Sequence, residues 1–340
     1  MAPDAPRSDD ETRTLAWAHG RAALQRLGGM LGPLAFKAPG RADFQPLHVA
    51  PWADEPGTAE LPGILRRLRG EWPCVPFGRV DAPRRWPPGW TPRTPDDAWG
   101  HGYASHHDWA WIAQDDPLAL AMQIHYPEES PVRCLTRRVA AVPDAPAIEV
   151  ALRIEARRAC VLPIALHPTL RLDLGRVALH VPHRGAGFTY PVDVSPDVSR
   201  AVPDQRFSAL GRVAALDGGV LDLTRYPQEL DSEELVQLTD VTGPTTVHYL
   251  DQRWSLEIDW DRALLPDVML WVSHRGRLHA PWNGRHLALG VEPLNGVFDL
   301  GRVGSPPAAH PLARNPGIRL EPDVPRVLRY ALRATAGQAS

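Results

Sequence analysis

The stretch RHLALGVEPLNGVFDLG, residues Arg285 to Gly301, alternates in twos. Leu287, Leu289 and Val291 fall on one face, and His286, Ala288, Gly290 and Glu292 on the other. A period of two belongs to a strand with one buried face. The second face shrinks to Ala and Gly and then carries a carboxylate, and Pro293 is expected to end the strand. Small residues leave a hollow on that face, and a carboxylate beside a hollow can reach a ligand. The plainer alternative for Glu292 is a salt-bridged edge residue.

The same alternation recurs outward along the chain. Ile148, Val150, Leu152 and Ile154 alternate with Glu149, Ala151, Arg153 and Glu155. Trp254, Leu256, Ile258 and Trp260, and Leu118, Leu120, Met122 and Ile124, follow the same rule. One dry face and one wetter face favour antiparallel sheets over a parallel α/β core. VMLWV, Val268 to Val272, is apolar throughout and too short for a helix, so it reads as a central strand. The 37 prolines and 27 glycines cut the chain into short pieces, the punctuation of an all-β sandwich. Thr14 to Leu27 is the best helical candidate, weakened by Gly20. Three loops, Arg79 to Asp97, Pro191 to Pro203 and Pro306 to Pro316, show no linker character. Residues 1–340 are expected to form a single domain, with residues 1–15 a poorly ordered tail.

Composition excludes several functions. A net charge of -3 provides no global field for nucleic acid or anionic membrane, and no basic stripe with interleaved aromatics favours nucleic acid. Lys37 is the only lysine, and no P-loop lysine is present. Cys74, Cys134 and Cys160 form no CxxC pair, which suits a reducing, cytoplasmic setting. No apolar run approaches the roughly 18 residues of a membrane span, and the acidic N-terminus has no signal core.

Four segments carry candidate chemistry. WGHGYASHHDW holds His101, His106, His107 and Asp108, which on a strand would divide between two faces and lacks any metal-ligand spacing. His167 precedes Pro168 and so is biased to extended geometry at a strand end. It is either a satisfied structural histidine or a general acid near its working pH. Arg79 follows Gly78 at the start of a long loop, either a surface arginine or a fork aimed at substrate oxygens. Glu292 is the fourth.

Taken in order, Gly28-Gly29, Gly78-Arg79, His101-Gly102, His167-Pro168 and Glu292-Pro293 resemble the aldose 1-epimerase (galactose mutarotase-like) family over roughly residues 20 to 330. The resemblance implies one large twisted antiparallel β-sandwich, the galactose mutarotase-like supersandwich, with its site on a concave sheet face, and it implies strands over Thr14 to Leu27, where Gly20, Gly28 and Gly29 suit turns. It implies Glu292 as general base, His167 as general acid, and Arg79 and His101 as donors orienting a sugar ring. It further implies Asp251 as a binder of sugar hydroxyls and Trp271 as a stacking face. By this analogy Ala288 and Gly290 make room for the ring, and acid and base flank one centre from opposite sides. The expected partner is a small-molecule carbohydrate, without nucleic acid, membrane, metal or organic cofactor, on a monomer or weak homodimer. The alternatives are a hexose-6-phosphate 1-epimerase clamping phosphate with Arg84, Arg85 or Arg171, a non-catalytic carbohydrate-binding protein, and a glycan lyase or hydrolase pairing Glu292 with Asp251.

Overall fold

The computed structural model describes residues 11–192, 194–195 and 198–337. Among them, two large antiparallel sheets carry the architecture. The nine-stranded sheet runs from Arg225–Tyr226 at one edge, through Trp254–Trp260, Arg326–Ala336 and Ala147–Ala156, to Ala110–Ile112 at the other. The eight-stranded sheet is centred on Ser232–Leu238, Asp267–His274 and Leu287–Asn295, with Ile164–Leu166, Thr169–Arg171 and Pro73–Cys74 on the far side.

The period-2 pattern assigns the layers. In Ala147–Ala156, Ile148, Val150, Leu152 and Ile154 are buried while Glu149 and Arg153 face outward. In the other sheet Val268, Leu270, Val272, Leu289 and Val291 point the same way, and both sets meet in one core between the sheets. Met269 and Trp271 point to the opposite face, into a second apolar layer that includes Trp52, Trp72 and Phe77. The unbroken run Val268–Val272 therefore belongs to a central strand with apolar layers on both faces, which removes any need for alternation.

The N-terminus departs from expectation. Residues 1–10 of the expected tail lie outside the described residues, but Thr12–Trp17 is a strand paired with Gly20–Gln25. Leu15 and Trp17 are buried, and the Trp17 indole N–H donates to the Ala145 carbonyl at 3.0 Å. These anchors order the segment that polarity alone marks as a tail. The turn at Gly28 and Gly29 has positive φ at both residues, and a Cβ at Gly29 would stand 2.9 Å from the Trp109 ring. The Gly29 carbonyl accepts from Arg137 at 2.6 Å, and Arg137 pairs with fully buried Glu71. Two charges buried this way are tolerable because each has its partner.

Pro293 does not end its strand, which runs on to Asn295. The Val291 N–H donates to the Pro168 carbonyl, and an N–H two residues on would point to the same side. By the register of Ala165 with Leu294 it would face Leu166, the last residue of Ile164–Leu166, where the pairing breaks off before Thr169–Arg171. The proline forgoes one ladder bond there, at a break in the ladder and not in a continuous run.

Candidate active site

Strand register builds the site. Ile164 pairs with Asn295, Ala165 with Leu294 and Thr169 with Gly290, so His167 falls directly opposite Glu292. On its other side Leu166 pairs with Pro73, which sets His167 opposite Trp72. Beyond Glu292, Met269 is the register partner. A row of Trp72, His167, Glu292 and Met269 thus crosses four strands on one face, and all four line a single pocket of about 310 Å³. Its size is at the lower end for small-molecule sites, about 300–1,000 Å³.

The imidazole of His167 lies flat on Trp72, with centroids 4.1 Å apart and planes at 16°. Its Nδ1 is 3.2 Å from the Thr169 hydroxyl, and its Nε2 is 3.4 Å from Glu292 Oε1. Glu292 is 0 % exposed, and neither carboxylate oxygen has a hydrogen-bond partner. Burial drives the Glu292 pKa well above the carboxylate range, with Asp299 nearby adding to the shift. Burial likewise drives His167 well below the ordinary imidazole value, with His101 adding. The two groups stand side by side rather than on opposite flanks: a 3.4 Å separation admits no atom between them.

Gly290 serves the carboxylate itself. A Cβ there would lie 2.6 Å from Glu292 Oε1 and 3.1 Å from Trp271 Cβ. The hollow read from Ala288 and Gly290 as space for a ring is, at Gly290, occupied by the folded-back Glu292 side chain.

Segments outside the sheet complete the pocket, among them Pro62, Ile64, Leu65 and Leu68, His101, Arg277, Trp282 and Asp299. His101 lines it, in a left-handed backbone conformation with φ 59, and its N–H donates to the Gly78 carbonyl at 2.7 Å. A Cβ on Gly102 would collide with the Val75 carbonyl oxygen at 2.3 Å, which explains the His-Gly pair. The His101 ring stands 5.6 Å from His167, its Nδ1 is unpartnered, and burial pushes its pKa down to about 3. The Gly78-Arg79 pair has a similar cause. A Cβ on Gly78 would lie 2.5 Å from the Asp299 carbonyl oxygen, and the Arg79 N–H donates to that same oxygen at 2.8 Å. Arg79 itself does not line the pocket; its charge bears on Asp299 and Tyr190 from behind.

Asp251 is elsewhere. It sits in the exposed turn between Thr245–Tyr249 and Trp254–Trp260, in a fork with Arg176 at 2.6 and 2.9 Å. A sequence with no register information places it by loose alignment, and the fold does not bring it to the pocket. Trp271 does line the pocket, but its ring is stacked on His286 at 5.2 Å and carries the Arg277 guanidinium 5.2 Å from its centroid. With its ring covered and only 6 % exposed, it is a wall and not a platform. His106 and His107 turn their ring nitrogens to the Gly100 and Tyr103 carbonyls of their own loop.

Sequence reasoning missed two charged residues of the pocket. Asp299 accepts from the Tyr190 hydroxyl at 2.6 Å, and burial raises its pKa against the pull of that bond and of Arg79. Arg277 is clasped between Trp271 and Trp282, 4.5 Å from the latter's centroid, and its Nε is 3.2 Å from buried Glu233. Glu233 also accepts from Trp271 Nε1 and Ser273 Oγ. Asp299 was in view within the Arg285–Gly301 stretch, but in an irregular segment where no periodicity assigns a direction.

No family model matches the sequence, and no curated protein matches it. Solved structures match in fold. A protein from Escherichia coli K12 named as a candidate aldose 1-epimerase superposes at a TM-score of 0.66 and 11% identity, over 96% of this chain and 99% of that one. A galactose mutarotase-like protein from Lactobacillus casei ATCC 334 gives 0.61 at 14% identity, over 95% and 100%. A galactose mutarotase related enzyme from Lactobacillus acidophilus gives 0.60 at 12%, over 97% and 99%. At such identities the likeness is one of fold, and the chain has the galactose mutarotase-like β-sandwich.

Proposed function

We propose that the protein is an aldose 1-epimerase, exchanging the α and β anomers of a neutral sugar by general acid–base ring opening. The observation that carries this is the fully buried Glu292 carboxyl, with neither oxygen hydrogen-bonded, beside the His167 imidazole in one pocket. Buried acceptors without partners call for an explanation, and a sugar hydroxyl supplies one. Anomer exchange needs one proton removed from O1 and another given to the ring oxygen. Both oxygens are bonded to C1, so an adjacent acid and base can serve both.

Burial alone favours the neutral forms, with the pair's single proton on Glu292. An O1–H donated to Glu292 provides the hydrogen bond its charged form lacks and lowers its pKa. The proton then passes to His167. Glu292 is left as base toward O1 and His167 as acid toward the ring oxygen; the aldehyde rotates about C1–C2 and recloses by the reverse transfers. His101 orients the ring, while Arg79 acts through Asp299.

Charge in the pocket favours a neutral substrate over a phosphorylated one. Arg171 is engaged with Asp173 at 2.7 Å, and Arg84 and Arg85 are exposed and do not line the pocket. Arg277 is balanced by Glu233. Anomer-exchange NMR over a sugar panel tests the reading. Glu292→Gln keeps the shape of a neutral carboxyl, so the fold should hold while exchange falls about 10²–10⁴-fold. His167→Ala should lower turnover more than affinity. Unchanged exchange in Glu292→Gln would sink the assignment, and release of reducing ends from an oligosaccharide would favour hydrolysis instead.

A further inference from the structure

The pocket's polarity is lopsided. Apart from the indole N–H groups of Trp72, Trp271 and Trp282, of which that of Trp72 is buried and unpartnered and that of Trp271 donates to Glu233, its polar lining is Glu292, His167, His101, Arg277 and Asp299. Of these, Asp299 is engaged by Tyr190, and Arg277 is held by Glu233. Among the described residues no Ser, Thr, Asn, Gln or Tyr lines it. Over the sheet face lies one contiguous segment that contributes Pro62, Ile64, Leu65 and Leu68, all apolar. This segment is fixed in place: Trp52 Nε1 donates to the Leu65 carbonyl at 2.8 Å, and a Cβ on Gly63 would collide with the His106 carbonyl oxygen at 2.2 Å. The sheet beneath adds Leu235 and Met269.

A common aldohexose carries a hydroxyl at nearly every carbon. The reacting pair and its neighbours can satisfy those near C1, but a hydroxymethyl group turned to the apolar segment would lose its water without gaining a partner. We infer that the site takes an aldopyranose bearing a methyl in place of the hydroxymethyl group at C5, a 6-deoxyhexose, with that methyl against Ile64, Leu65 and Leu68. This rests on the anomer-exchange reading and names its substrate class.

The test compares sugars that share ring stereochemistry and differ only at C5: D-xylose, 6-deoxy-D-glucose and D-glucose, and in parallel L-arabinose, D-fucose and D-galactose. Anomer exchange is measured by NMR with the full chain. The expected result is a kcat/KM for the 6-deoxy member about 10–100-fold above its hexose in at least one series, the range a hydrophobic pocket gives for one small group. The 6-deoxy member should also exceed its pentose, because the methyl is in contact. Ile64→Thr, at a half-buried position, should shrink the preference while leaving the protein folded. If hexoses or pentoses match the 6-deoxy sugars in both series while exchange is accelerated, the inference fails and the epimerase reading stands. If no sugar is accelerated, the epimerase reading fails and takes the inference with it.

Discussion

Gly290→Ala puts the smallest possible obstacle beside Glu292, the carboxylate proposed as base. The new Cβ would stand 2.6 Å from Glu292 Oε1, whereas ordinary contact begins at 3.4 Å, so Oε1 must retreat by roughly 0.8 Å. The obstructed atom is the tip of a flexible side chain, and Trp271 Cβ, at 3.1 Å, has to give by only a few tenths of an ångström. The cost in stability is that of mild overpacking, about 1–3 kcal/mol. The cost in rate is larger, because a misplacement of about 1 Å at a reacting group can cost about 10²-fold. The variant should therefore melt cooperatively at a modestly lower temperature and exchange anomers on the order of 10²-fold more slowly, with the loss in kcat. Circular dichroism melts and two-dimensional exchange NMR read the two effects separately. Full turnover in a folded Gly290→Ala protein would refute the idea that this glycine exists to seat the carboxylate.

Two further outcomes follow from the same geometry. Asp251→Ala removes an exposed fork to Arg176 and the bond from the Arg176 backbone N–H, all away from the pocket, so kcat/KM should stay within about twofold of the parent, since exposed pairs contribute little; a large loss by the same NMR assay would return Asp251 to the site. His48 is buried near His286, and burial pushes its pKa down to about 4, Arg171 adding and Asp173 opposing. Between the unfolded value of 6.5 and 4 the unfolded chain binds the extra proton, so stability present above pH 6.5 is lost as pH falls toward 4. The loss amounts to about 3 kcal/mol at most. His48→Asn should flatten this acid limb of the thermal midpoint against pH; an unchanged slope would contradict the burial argument.

The fold was readable because period two is a local signal. Val150, Leu152 and Leu256 declare their face by their neighbours alone, and Val268–Val272 declares two apolar layers by having no polar face. The candidate site was readable in part: His167 before a proline and Glu292 on a strand of small residues are local signals too, and both line the pocket. What a strand does not declare is the register of a distant strand. His167 and Glu292 become neighbours only through the pairing of Ala165 with Leu294 and Thr169 with Gly290. Asp251 and Asp299 were indistinguishable on local grounds: both are acids outside the strands, in a turn and in the short 3-10 helix Phe298–Leu300, and only the fold brings Asp299 to the pocket. Arg277 was hidden among many arginines, marked out only by two tryptophans that close on it from separate segments.

Because His167 and Glu292 are cross-strand neighbours, the proposed proton-transfer pair is tied to the alignment of the sheet. A slip of one residue turns a strand's side chains to the opposite face, which would drive Glu292 into the layer that holds Val268 and Leu270 and bring Val291 out in its place. Such a chain would lose its proton-transfer pair and strand a carboxyl among aliphatics in a single step. On the proposed function, anomer exchange would then gauge whether these strands have assembled in register.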